Sequence, residues 1–87
     1  MRLKYSFEKM DLDDQIIAVP IGDDSEGFTG VIRLNETAAF IFDLLETETT
    51  EEEIVTAMSR AFNAPYEKLA VDVHQYLAEF QRKGLLA

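Results

Sequence analysis

The chain has no cysteine and no tryptophan among its 87 residues. Without thiols it can form neither a disulfide framework nor a thiolate metal site, and it suits a reducing compartment, so the expected location is the cytoplasm. Long apolar runs are missing too. Met1-Arg2-Leu3-Lys4-Tyr5 leads into mixed sequence, which is neither a signal-peptide nor a membrane-span pattern, and no membrane role is expected. Positive charge is scarce: 8 Lys and Arg stand against 17 Asp and Glu, for a formal net charge of -9. The basic residues Arg2, Lys4, Lys9, Arg33, Arg60, Lys68, Arg82 and Lys83 are scattered along the chain. Nucleic-acid binding draws on clustered cations that displace counterions from phosphates, so no nucleic-acid partner is expected. A chain this short is read as a single domain spanning residues 1–87. It buries only about 60–65% of the surface its unfolded form exposes, which leaves room for one compact core.

What is present divides into strands, then helices. Tyr5 to Met10 alternates apolar and polar residues and reads as a half-buried strand. Asp11-Leu12-Asp13-Asp14 reads as a turn, and Gln15 to Pro20 as a second strand completing a hairpin. Pro20 has no amide hydrogen and belongs near a strand end. The polar stretch Gly22 to Gly27 reads as a loop, and Phe28 to Leu34 as a third strand. Phe28, Gly30, Ile32 and Leu34 share one face of it, and Thr29, Val31 and Arg33 the other. Asn35 then ends the strand and caps a helix, with Glu36 favourable in the first turn.

This first helix is expected to run to about Glu46, with Ala38, Ile41, Phe42 and Leu45 inward and Leu44 flanking. Thr50-Glu51-Glu52-Glu53 fits a capping box for a second helix reaching about Phe62, with Ile54, Met58, Ala61 and Phe62 buried. Pro65 suits the first position of a third helix whose stripe is Leu69, Val73, Tyr76, Leu77 and Phe80. Gly84 is placed to stop it, with Leu85 folding back. The expected fold is α+β, with three antiparallel strands followed by three helices (βββααα). Helices two and three form a helix-turn-helix, so the whole is a winged helix with an N-terminal wing.

The residues that carry chemistry do not converge. The one histidine, His74, has Ala70, Val71, Leu77 and Ala78 as its helical neighbours, none of which can serve as an acid–base partner. The clusters Asp11-Leu12-Asp13-Asp14 and Asp23-Asp24-Ser25-Glu26 lack the twelve-residue ligand alternation of an EF-hand loop, and turns explain them. Glu51-Glu52-Glu53 suits a helix N-terminus. No phosphate loop or dinucleotide fingerprint is present. No serine sits at a helix start in an Asp-Ser-Leu context, as a carrier of acyl or peptidyl groups would need. No catalytic residue, metal ligand or cofactor is therefore assigned, and the chain is not expected to be an enzyme.

Binding remains. A three-stranded sheet has open edges whose unpaired amides and carbonyls can accept a further strand. Four to six such hydrogen bonds, at roughly 0.5–1.5 kcal/mol each, give only a few kcal/mol. Micromolar affinity needs about -8 kcal/mol, so apolar side chains entering a groove must supply the rest. The third helix beside the third strand could form one wall of that groove. The bland alternative has the edge covered by the chain's own terminus or by a second copy.

Three stretches in order, "LNETAAFIFDLLE", "TTEEEIVTAMSRAF" and "DVHQYLAEFQRKGLL", resemble the PqqD-like family, the small peptide chaperones of pyrroloquinoline quinone biosynthesis and their relatives. The pieces carrying the likeness run from about Val31 to Leu86. They are Leu34-Asn35-Glu36-Thr37-Ala38-Ala39, Leu44-Leu45, Glu53-Ile54, Asp72-Val73 and Gly84-Leu85-Leu86; the N-terminal strands, including Val19-Pro20, match in pattern alone. The resemblance implies a RiPP recognition element. Such a winged-helix domain binds the leader segment of a ribosomally made precursor peptide along the third strand and against the third helix. It presents that precursor to a modifying enzyme, commonly a radical S-adenosylmethionine enzyme.

Carried onto this sequence, the backbone contacts fall at Thr29 to Arg33, through Ile32, with Val31 and Arg33 as outward side chains. On the third helix, Asp72, Tyr76 and Lys83 form the favoured flank, and His74 and Gln81 the other. Tyr76 could equally belong to the core, and Asp72 could pair locally. The pathway, whether to PQQ, a sactipeptide, a lasso peptide or another product, is left open. The expected state is a monomer or weak dimer. The competing readings are a winged-helix DNA binder, disfavoured by Glu67, Asp72 and Glu79 on the third helix, and a docking subunit that self-associates through the same edge.

Overall fold

The computed structural model describes residues 1–22 and 30–87. Three strands come first: β1 (Ser6–Leu12), β2 (Gln15–Ile21) and β3 (Ile32–Leu34). Three helices follow: α1 (Glu36–Leu44), α2 (Glu51–Ala61) and α3 (Tyr66–Arg82). The sheet order is β1-β2-β3, antiparallel throughout. The α+β class and the βββααα order are as the sequence predicts.

The hairpin turn is tighter than expected. Leu12 pairs directly with Gln15, so Asp11 and Leu12 belong to β1 and only Asp13 and Asp14 form the turn. Asp13 has φ 52°, a left-handed conformation that primed hairpin turns need and that aspartate tolerates. The third strand is shorter than predicted, because only Ile32–Leu34 pairs with β2, through Ile16, Ile17 and Ala18. The loop predicted after Gly22, and the strand positions Phe28 and Thr29, lie outside the described residues.

Each helix is bounded by an identifiable device. Asn35 Oδ1 accepts from the Ala38 amide at 2.7 Å and starts α1, which stops at Leu44 rather than Glu46. Thr50 Oγ1 accepts from the Glu53 amide at 3.1 Å and starts α2. The Glu53 carboxylate in turn accepts from Thr49 Oγ1 at 3.4 Å. Pro65 occupies the cap of α3, one position earlier than predicted. The far end of α3 closes in a Schellman motif. The Leu85 amide donates to the Phe80 carbonyl and the Gly84 amide to the Gln81 carbonyl, both at 3.0 Å. Gly84 has φ +74°, and Leu85 is fully buried.

The core joins all the layers. Ala18, Ile32 and Leu34 come from the sheet, Ile41, Phe42 and Leu45 from α1 and its end, and Ile54, Val55 and Met58 from α2. Leu69, Val73, Leu77 and Phe80 come from α3. Phe42 is central: its ring meets Phe7 edge-on at 5.1 Å and Phe80 at 5.8 Å. On α2, Val55 is buried where Ala61 was predicted to be, and Ala61 is exposed. The inward row follows Ile54, Met58 and Phe62 at four-residue steps, with Val55 beside it, and Ala61 falls on the outer margin. Phe62 is half-buried, its ring 5.3 Å from Phe40.

The chain ends are tied to each other. Leu3 bridges Leu86, the Lys4 amide donates to the Leu85 carbonyl at 2.7 Å, and the Ala87 amide donates to the Arg2 carbonyl at 2.9 Å. The Leu3 amide also donates to the Leu45 carbonyl at 2.9 Å, so this segment braces the end of α1. The Met1 ammonium bonds the Glu48 carboxylate and holds that carboxyl below the usual range.

Candidate functional site

The sheet order leaves β3 at an edge. Its partner on one side is β2; on the other side no strand pairs with it among the described residues. The terminal segments pair with each other, Leu3 with Leu86. Between that edge and α3 lies an open groove of about 480 Å³. Ile32, Arg33 and Leu34 line one wall, Asp72, Gln75, Tyr76, Glu79, Phe80 and Lys83 the other, and Asn35, Thr37 and Ala38 the end.

Period-two alternation sets the strand wall. Ile32 and Leu34 turn inward and are buried, so they offer the groove main chain, while Val31 and Arg33 are exposed. Val31 is 53% exposed and is not in the groove lining. The α3 wall follows the helical repeat, since Asp72, Gln75, Tyr76, Glu79 and Lys83 are spaced by three or four residues. The flank bearing Asp72, Tyr76 and Lys83 therefore faces β3, and His74 and Gln81 are not in the lining.

Tyr76 lines the groove and is also tied into the fold. Its ring packs against the core, and its hydroxyl accepts from Asn35 Nδ2 at 2.8 Å. Asp72 pairs with Lys68 at 3.3 Å, one helical turn away, while still lining the groove. Lys83 lies 3.5 Å from Glu79, which also pairs with Arg82. Thr29 lies outside the described residues. Reading the sequence alone missed Gln75, Asn35 and Thr37 as lining residues. The spacing from Asp72 could have found Gln75, but the others depend on where α1 starts against α3.

His74 is corrected in one respect. Its helical neighbours offer no partner, but Glu51 of α2 does, at 3.3 Å from Nδ1. Both side chains are open to water, at 73% and 42% exposure, so this is a surface pair between α2 and α3. Among the described residues, no group of three or more His, Asp or Glu side chains could hold a metal ion. No helix among them is long and apolar enough to cross a membrane.

These features define a class: a winged helix-turn-helix whose β3 edge lies open, among the described residues, beside a helix-lined groove. The chain belongs to the coenzyme PQQ synthesis protein D (PqqD) family, whose model matches residues 12–86. No curated protein sequence matches. Among solved structures, the fold is similar to that of TbiB1 in complex with the TbiA(beta) leader peptide. The TM-score is 0.75 and the identity 22%, with 99% of this chain and 94% of that one covered.

Proposed function

We propose that this protein is a RiPP recognition element, one leader-binding unit that takes up the leader of a ribosomally synthesised precursor peptide. The leader adds as a strand to β3 and lays side chains into the groove against α3. The open edge beside the groove carries this reading: main-chain groups and side-chain contacts lie along one path, as strand addition requires. Membership of the PqqD family and the likeness to a protein held with a leader peptide support it.

The energetics favour a joint site. In an antiparallel ladder, outward hydrogen bonds come at alternate residues, so the short β3 offers about two to four. At roughly 0.5–1.5 kcal/mol each, these supply about 1–6 kcal/mol. The groove must supply the remainder of a micromolar affinity, about -8 kcal/mol in all. The protein then acts by presenting the bound precursor to a separate modifying enzyme of the radical S-adenosylmethionine class, and contributes no catalysis of its own. Duplex DNA is a poor alternative because the chain carries a formal net charge of -9 and its basic residues are scattered.

The test is an amide-resonance titration with the leader of a short peptide encoded beside this gene. Shifts should concentrate at Ile32–Leu34 and along the Asp72–Lys83 face of α3. Shifts confined to the outer face of α2 would sink the proposal. Concentration-dependent dimerisation through β3 with no response to peptide would favour the self-associating reading.

A further inference from the structure

We infer that the groove selects leaders carrying an aspartate or glutamate side chain, held by the Arg33 guanidinium and the Tyr76 hydroxyl. This rests on the strand-addition reading and deepens it. Three observations lead to it. First, the groove's other charges are already matched: Asp72 is paired with Lys68, and Glu79 with Arg82 and Lys83. Arg33 lines the same groove, is exposed, and enters no ion pair or side-chain hydrogen bond among the described residues. A guanidinium cannot lose its charge at physiological pH, and its fork of N–H groups matches a carboxylate.

Second, the direction of the Asn35–Tyr76 bond is fixed by chemistry. Asn35 Oδ1 accepts from the Ala38 amide, so the other end of that side chain must be the NH2 group. That NH2 donates to the Tyr76 oxygen, which is therefore used as an acceptor. The Tyr76 proton is left over for a ligand. Third, the two donors are on one side. Asn35 is extended, with φ -82° and ψ 177°, so the strand alternation continues through it and places it on the Arg33 face. Two residues along a strand span about 7 Å, a gap an arginine side chain can bridge. A neutral O–H and a guanidinium converging from two walls make a site for an anionic side chain. An acidic leader would thus be accepted locally even though the whole chain carries a formal charge of -9.

The experiment is a selection from a phage-displayed library of random linear peptides on wild-type protein, Arg33→Glu and Arg33→Gln. Arg33 is exposed, and circular dichroism checks that the variants fold. Wild type should enrich Asp or Glu at one position, Arg33→Glu should enrich Lys or Arg there, and Arg33→Gln should lose the preference. For a selected peptide, replacing the acid by its amide should weaken binding to wild type roughly ten- to hundredfold, and to Arg33→Gln by under about twofold. Tyr76→Phe, which keeps the ring, should cost the acidic peptide about two- to tenfold. Enrichment of the same sequences by wild type and Arg33→Glu would overturn the inference. If those peptides still shift Ile32–Leu34, the strand-addition reading survives. Peptides that shift only residues away from β3 and α3, or no enrichment at all, would overturn both.

Discussion

Replacing Asn35 separates two jobs held by one side chain. Its Oδ1 caps α1 through the Ala38 amide, and its Nδ2 ties the start of that helix to Tyr76 on α3. Losing an N-cap costs about 1 kcal/mol. The tyrosine bond is exposed to solvent and contributes about 0.5–1 kcal/mol, the low end for a neutral pair. Asn35→Ala should therefore destabilise the protein by about 1.5–2 kcal/mol, a fall in Tm of about 6–16 °C for a chain of this size. Asn35→Ser keeps an oxygen for the cap but is too short to reach Tyr76, so it should cost only about 0.5–1 kcal/mol. Tyr76→Phe should cost the same amount. The double variant Asn35→Ser/Tyr76→Phe should cost no more than either alone, because both remove one bond. Urea unfolding followed by circular dichroism measures all four. Equal losses for Asn35→Ala and Asn35→Ser would refute the capping role. Full additivity in the double variant would refute the link across the groove.

Gly84→Ala should destabilise by about 1–2 kcal/mol, purely from the left-handed backbone at φ +74°, since a Cβ there meets nothing within 4 Å. Gly84→Asn should cost less, because asparagine visits that region more readily. Phe42→Ala should cost about 3–5 kcal/mol, because the ring is 1% exposed and joins Phe7 to Phe80. Thermal unfolding by calorimetry should show either a large fall in Tm or no folded state.

The sequence revealed what is local and concealed what depends on distant chain. Asn35, Thr50 and Gly84 end or begin helices through atoms within five residues, and each was legible as a cap. The inward stripes of α1 and α3 followed from helical periodicity. Val55 and Ala61 changed places because the margin of a stripe is decided by what packs against it. The hairpin turn was placed two residues early, since Asp11 and Leu12 have turn-like neighbours but pair with β2. The clasp of Leu3 on Leu86 and the pair His74–Glu51 join segments far apart in sequence, and no spacing rule announces them. At the candidate site, the flank of α3 was legible from Asp72, Tyr76 and Lys83. The bond from Asn35 to Tyr76 was not, because it depends on how α1 enters against α3.

Strand addition makes a claim about main-chain hydrogens, and amide hydrogen exchange reads them directly. In the free protein, the outward amides of Val31–Leu34 should exchange fast, as unpaired edge groups do. Saturation with a bound leader peptide should slow them by at least about tenfold, with milder protection along the groove face of α3. Unchanged exchange at these residues under saturating peptide, with protection appearing on another surface, would contradict the account.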